Sequence, residues 1–148
     1  MRREIFTGAD ASMLLGAVFS AFLALLLGAC AYVPPFNQYS WDETARLKTE
    51  SLALIHNARE SNTLHEERAQ AVLTSVQRAY VDANLRYQNQ ESMRQWAILL
   101  DPYQPSLAGG IRLWKENDTL SQAAIRDFKK LVASNFDEIA KLEGKKRK

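Results

Sequence analysis

The hydrophobic pattern divides the chain into an uncharged N-terminal run and a longer amphipathic part. Residues 11–29 contain no charged side chain, and they follow Arg2 and Arg3, whose charges are offset by Glu4 and Asp10. A cationic start, an apolar run and small residues at its end are typical of a secretory signal peptide. The run is also close to the length of about 20 apolar residues that spans a membrane. Its length alone leaves both interpretations open.

Two long helices are predicted in the first half of the amphipathic part. The first follows a capping box at Ser40–Glu43 and extends to about residue 59, and the second follows a capping box at Thr63–Glu66. The second helix carries a heptad-like seam that Val72 and Ala79 widen. The seam itself is formed by Ala69, Leu73, Val76, Tyr80, Ala83 and Tyr87. Such a seam packs either inside a bundle or against a second chain as a coiled coil.

In the second half of the amphipathic part, the pattern predicts one long helix, a short helix and a helical turn. A short helix begins near Ser92 and ends at Asp101-Pro102, and residues 111–114 form a helical turn. Residues 101–110 contain two prolines and two glycines, which predicts the main loop. Thr119 and Ser121 compete to cap the last helix, which extends to about residue 142. No segment shows convincing strand alternation, so we expect an all-α bundle of three main helices plus one or two short ones.

Composition and charge exclude several classes of function. The chain has 148 residues with a net charge of +2, which excludes a strongly basic nucleic-acid binder. One cysteine excludes an internal disulfide and a multi-cysteine metal site. His56 and His65 have no convincing third ligand in the sequence, so we expect no metal. Neighbouring carboxylates such as Glu66-Glu67 point about 100° apart on a helix, and catalytic motifs are missing, so we expect no enzyme and no cofactor.

The end of the apolar run carries a specific motif. Leu27-Gly28-Ala29-Cys30 resembles the lipobox of bacterial lipoproteins, and its cysteine is the one cysteine of the chain. The resemblance implies cleavage before Cys30, attachment of diacylglycerol and an acyl chain such as palmitate, and, because Ala31 follows, export to an outer membrane in a Gram-negative cell. The alternative is that Cys30 is an ordinary residue at the end of an uncleaved anchor.

The domain organisation follows from this motif. Residues 1–29 form the signal peptide, and residues 30–40 form the lipidated cysteine and a tether that two adjacent prolines extend. At about 3 Å per residue the tether reaches roughly 25–30 Å. Its aromatic residues either rest in the membrane interface or pack on the domain. Residues 41–142 form the helical domain, and residues 143–148 form a basic tail.

A second resemblance covers about a quarter of the chain. Several short motifs are similar to those of small helical bacterial proteins of unknown function, namely Gln95-Trp96, Asp101-Pro102, Gly109-Gly110, Trp114-Lys115 and Thr119–Ser121. This resemblance implies no activity.

Two groups of residues are candidate interaction surfaces. Trp96, Tyr103 and Trp114 surround the proline- and glycine-containing loop, where they form either a groove for a peptide or small apolar ligand or the core of the bundle. Four basic residues follow Gly144, and we expect them to be mobile and free to touch anionic surfaces such as lipid headgroups. These residues are Lys145, Lys146, Arg147 and Lys148.

These observations favour a non-enzymatic envelope lipoprotein that faces the periplasm and acts as a structural or adaptor protein. Its membrane contact is the acylated Cys30, and its expected partner is an envelope protein or a second copy of the chain. Two alternatives remain: a carrier that holds a small apolar ligand in an aromatic groove, and an envelope-spanning lysis or secretion accessory whose heptad helix pairs with a partner.

Overall fold

The computed structural model describes residues 35–147, and these residues are helical without any strand. The expectation of an all-α fold is therefore confirmed for this part of the chain. A short 3₁₀ helix at Asn62–Leu64 joins the first two α-helices. The α-helices are α1 at Gln38–His56, α2 at Glu66–Leu85, α3 at Gln90–Leu100, α4 at Leu107–Asn117 and α5 at Gln122–Gly144.

The long helices α1 and α5 lie side by side and run in opposite directions. Near the start of α1, the Trp41 ring lies against Gly144 at the end of α5. Near the other end, the Leu120 amide, just before α5, donates to the Ala58 carbonyl oxygen at 2.7 Å. Helix α2 packs on α1 and α3, while α3 also packs on α5 and α4. The fold therefore buries one core between helices that are distant in sequence.

Helix α2 buries the predicted seam on one side only, the side that Val72 and Ala79 widen. Its buried residues are Ala69, Val72, Val76, Ala79 and Ala83. Leu73 and Tyr80 only border the core, and Tyr87 is exposed beyond the end of the helix. The small alanines allow neighbouring helices to approach closely, which places α2 inside the bundle.

The helix starts differ from the predicted capping boxes. Helix α1 begins at Gln38 because the Asn37 side chain accepts the Ser40 amide at 3.1 Å, so Ser40 lies inside the helix. Helix α2 follows His65 without a side-chain cap. Of the two candidates before α5, Ser121 caps the helix by accepting the Ala124 amide at 3.2 Å. A side-chain oxygen stabilises a helix start only where the preceding backbone is non-helical.

The predicted main loop is shorter than expected because α4 starts at Leu107 and includes Gly109-Gly110. These glycines allow close packing. A Cβ atom on Gly109 would lie 2.1 Å from the Gln104 carbonyl oxygen, and one on Gly110 would lie 2.1 Å from the Phe128 ring. Glycine disfavours helix locally, but here it lets the loop and α5 touch the α4 backbone. The tertiary contact outweighs the local preference.

The bundle has two ends, which matter for the site. One end, called the Gln38 end, contains the start of α1, the α2–α3 connection and the end of α5. The opposite end contains the segment 57–65 and the α4–α5 connection. These two segments are joined by a hydrogen bond in which the Asp118 carbonyl oxygen accepts the Asn62 amide at 2.8 Å. Within residues 35–147, no helix combines the length and apolar character needed to cross a membrane.

Candidate functional site

The three aromatic residues of the predicted groove do not come together. Trp96 and Trp114 are buried in the core, and the Trp96 ring meets the Phe136 ring edge-on with centroids 5.9 Å apart. Trp114 donates from Nε1 to the Glu60 carbonyl oxygen at 3.0 Å. Tyr103 is instead largely exposed. Of the two alternatives for these aromatic residues, the core is the one observed for both tryptophans, which fill the space between helices, and Tyr103 does not join them.

A different apolar groove lies beside Tyr103. It encloses about 560 Å³ between the loop after α3, α4 and the first half of α5. Its apolar wall consists of Leu113, Leu120, Phe128 and Leu131. The groove is open to solvent, and its lining also includes two charged residues, Arg112 and Asp127. Its volume and lining suit a small apolar ligand.

Hydrogen bonds hold the loop that forms the groove rim. The Asp101 carboxylate accepts the Tyr103 amide at 2.9 Å, and Ser106 donates to the Asp101 carbonyl oxygen at 2.6 Å. The same Ser106 hydroxyl accepts the Gly109 amide and caps α4. Arg112 donates to the Pro102 carbonyl oxygen at 2.9 Å and lies over the Tyr103 ring at 5.8 Å. The rim is therefore preorganised.

One of the C-terminal basic residues, Lys146, forms part of a buried polar cluster at the Gln38 end. Lys146 donates to Glu143 at 2.7 Å and to Ser92 at 3.0 Å, and it also contacts the Asn89 side-chain oxygen. Arg86 donates to the second oxygen of Glu143 at 3.1 Å. The Glu143 side chain is fully buried, and that of Lys146 is 7% exposed. These five side chains are called the Glu143 cluster.

The electrostatics of the Glu143 cluster favour the ionised pair. Burial acts to raise the pKa of Glu143, but hydrogen bonds from Lys146 and Ser92 and the charge of Arg86 outweigh it, so this pKa lies below 4.5. Burial also lowers the pKa of Lys146 below 10.5, although Glu143 opposes that shift. The cluster joins the end of α5 to the α2–α3 connection, which is a structural role.

The expectation of a mobile basic tail is wrong for two of its residues. Lys146 belongs to the Glu143 cluster, and Arg147 lies 4.7 Å from the centroid of the Phe36 ring and 5.6 Å from that of Trp41. These contacts favour docking because a guanidinium stacks well on aromatic faces. Lys145 is exposed, so its contact with an anionic surface stays a prediction. Phe36 thus packs on the domain, which was one of the two alternatives for the tether aromatics.

The histidines and neighbouring carboxylates take part in ordinary surface contacts. His65 lies 2.7 Å from a Glu60 carboxylate oxygen, and its ring lies 5.5 Å from the Trp114 ring. His56 pairs with Lys129 at 3.0 Å. Glu66 accepts from Lys115 at 2.5 Å, which lowers the pKa of Glu66. In the described part of the chain, no group of three or more His, Cys, Asp or Glu side chains forms a candidate metal site.

Sequence reasoning missed the Glu143 cluster altogether. Its one local signal is the spacing of Glu143 and Lys146, which places them one turn apart across Gly144. That spacing is also found in the exposed pair Glu138 and Lys141, so it does not reveal burial. The partners Arg86 and Asn89 lie more than fifty residues away. Only the packing of α5 against the α2–α3 connection brings them together.

Cys30, the last residue of the lipobox-like motif, and Lys148 both lie outside the described residues. Their predicted roles therefore depend on the sequence. Comparison with known protein families, with curated proteins and with solved structures gives no match for this chain.

Proposed function

We propose that this chain is a non-enzymatic lipoprotein of the bacterial cell envelope that holds a helical adaptor domain at a membrane surface. The observation that carries the proposal is the motif Leu27-Gly28-Ala29-Cys30 at the end of an uncharged run, with the one cysteine of the chain at the modification position. Because Ala31 follows the cysteine, the resemblance to bacterial lipoproteins implies export to the outer membrane of a Gram-negative cell, with the domain facing the periplasm.

The distance between the motif and the domain supports this arrangement. Seven residues separate Cys30 from Gln38, the first residue of α1. An extended backbone covers at most about 3.6 Å per residue, so the start of α1 lies within about 30 Å of Cys30. Each buried methylene contributes about 0.8 kcal/mol, so two or three acyl chains hold such a domain stably. The chain that leads from Cys30 therefore enters the domain at the Gln38 end.

The finer architecture belongs to the same proposal. A signal helix over residues 1–29 is removed, and the mature chain presents a bundle of three main helices and two short ones. The three longer helices have 19, 20 and 23 residues, which agrees with this layout. Because α2 already buries its alanine-rich face, the adaptor role uses the outer surface of the bundle rather than a coiled coil formed by α2.

The test of lipidation is the substitution Cys30→Ser. We expect it to abolish labelling by an alkyne fatty acid and to stop processing of the precursor. The matched control is Ala29→Ser, which introduces the same residue one position earlier and keeps a small residue before the cysteine, so labelling persists. Fatty-acid labelling of the Cys30→Ser protein would overturn the proposal.

A second candidate function is the binding of a small apolar ligand, favoured by the groove of about 560 Å³ beside Tyr103. An environment-sensitive apolar dye tests it on the folded protein. Binding of the dye in the groove should increase its fluorescence. Leu113→Asp places a charge in the groove wall and should abolish this increase. Leu64→Asp changes an exposed leucine outside the groove and should leave the increase unchanged. Equal fluorescence of the two variants would reject this function.

A further inference from the structure

Three large apolar side chains are exposed at the Gln38 end of the bundle. Tyr39 is 63% exposed, and Leu85 and Tyr87 are each 76% exposed. They come from two separate segments of the chain: Tyr39 lies in the first turn of α1, while Leu85 ends α2 and Tyr87 follows in the α2–α3 connection. Leu64 and Tyr103 are equally exposed away from this end, so what distinguishes these three residues is their position beside the chain that leads to Cys30.

The two segments are held next to each other by the fold. Tyr39 and Arg86 line the same narrow crevice, above the buried Trp96. Arg86 is fixed by Glu143, and the neighbouring Asn89 is fixed by Lys146 and donates to the Ala83 carbonyl oxygen at 3.0 Å. The backbone that carries Leu85 and Tyr87 is therefore anchored from inside the bundle, and the apolar surface has a defined position.

The charges at this end do not favour a strongly anionic or cationic partner. Lys146 and Arg86 direct their charges at Glu143. The exposed basic residues Lys145 and Arg147 are balanced by the exposed acidic residues Asp42 and Asp82, and Glu91 is paired with the exposed Arg94 at 2.9 Å. A contact made here therefore depends mainly on apolar and aromatic groups rather than on net charge.

The chain itself indicates what covers this surface. Upstream of Gln38 the sequence leads within seven residues to Cys30 and to the uncharged run at 11–29. Whether that run is cleaved behind an acylated cysteine or kept as an anchor, a membrane lies within about 30 Å of the start of α1. Tyrosine is enriched at membrane–water interfaces, because its ring is apolar and its hydroxyl remains hydrated.

We propose that the Gln38 end is a lipid-facing surface, through which Tyr39, Leu85 and Tyr87 enter the interfacial layer of the anchoring membrane. The inference deepens the proposed function, since it rests on a membrane attachment upstream of Gln38, but it does not require that the attachment be an acyl chain. It also fixes the orientation of the domain, because the opposite end and the groove beside Tyr103 then face away from the membrane.

Photocrosslinking in intact cells tests the surface with the full chain. A photoreactive benzoylphenylalanine replaces Tyr87 or Leu85, and phospholipids are labelled by growth with radioactive phosphate, which the acyl anchor does not acquire. The matched controls carry the same group at Tyr103, which is 84% exposed, and at Leu64, which is 73% exposed, both away from the Gln38 end. We expect light-dependent phosphate-labelled adducts at 85 and 87 and only background at 103 and 64.

A second variant checks that apolar contact is the cause. With the photoreactive group at 87, Tyr39→Asp together with Leu85→Asp should reduce the lipid adduct to the background of position 103. Both changed residues are exposed, so circular dichroism should show an unchanged helical fold. Washing membranes in high salt before illumination should leave the adduct in place, because charge contributes little here.

The outcomes separate the two proposals. Equal adduct yields at 87 and 103 in a membrane-bound, fatty-acid-labelled protein overturn the lipid-facing surface and leave lipidation standing. Adducts at 87 in a protein that never incorporates the fatty acid support the surface and overturn lipidation. A crosslink from 87 to another protein instead of to lipid overturns the surface, and a protein that leaves the membrane fraction overturns both.

Discussion

Substitution Glu143→Ala tests how strongly the buried cluster holds the end of α5. The side chain of Glu143 is fully buried and accepts from Lys146 at 2.7 Å and from Arg86 at 3.1 Å. It also lies in the last helical turn, where the helix dipole disfavours a carboxylate, so its partners must provide the stabilisation. Removing it leaves the nearly buried Lys146 ammonium without its counterion.

We expect Glu143→Ala to lower the free energy of unfolding by about 3–5 kcal/mol, which is the range observed when one partner of a buried ion pair is removed. For a domain of this size that corresponds to a melting temperature lower by roughly 12–20 °C. The matched control is Glu138→Ala, which removes an exposed glutamate paired with Lys141 at 3.4 Å on the same helix and at the same spacing. It should cost at most about 1 kcal/mol.

Thermal unfolding followed by circular dichroism measures both variants. Adding Lys146→Met to Glu143→Ala should recover part of the loss, because the unpaired ammonium is then gone. If Glu143→Ala lowers the melting temperature no more than Glu138→Ala does, the cluster does not stabilise the fold and the reasoning is refuted.

The remaining predictions concern pH, the core and the backbone. Because the pKa of Glu143 is lowered by folding, its stabilisation is complete above pH 4.5 and is lost as the pH falls through the lower folded value, so the difference between the parent and Glu143→Ala should shrink in acid unfolding curves. Val76→Asp, in the fully buried face of α2, should cost more than about 3 kcal/mol, and chemical denaturation that matches the parent would contradict its burial. Gly109→Ala should lower the melting temperature, since its Cβ would meet the Gln104 carbonyl oxygen at 2.1 Å; an unchanged value would show that the loop can move aside. Gln88 has a φ of 56°, so Gln88→Gly should be neutral or stabilising, whereas Gln77→Gly inside α2 should cost about 1 kcal/mol in the same assay.

Local pattern was sufficient for the helical class of the fold. Apolar residues at helical spacing identified α2 and α5, and the burial of Val76 followed from the same periodicity. Helix starts were less predictable, because Asn37 and Ser40 are both good caps in the sequence. Which of them is used depends on where the preceding backbone leaves the helical conformation, and tertiary contacts decide that.

The candidate sites likewise divide into those that a local sequence motif identifies and those that depend on tertiary packing. The lipobox is a contiguous motif, so the proposal for Cys30 depends on sequence alone and the fold adds only its distance from α1. The sequence left the aromatic residues open between a groove and a core, and it misjudged Lys146 and Arg147 in the basic tail, because residue type does not reveal burial. A tryptophan suits a groove and a core equally well, and a lysine beyond a glycine resembles a solvated end.

The sequence by itself determined the anchor motif, the helical class and core positions such as Val76, because each depends on residues that are close along the chain. Only the tertiary structure decided that Trp96 and Trp114 are core, that the groove lies beside Tyr103, and that Lys146 reaches Asn89 and Glu143. The physical reason is that burial and ion pairing depend on which helices pack together. Antiparallel packing of α1 on α5 brings residues about a hundred positions apart to the Gln38 end, as the contact of Arg147 with Phe36 illustrates.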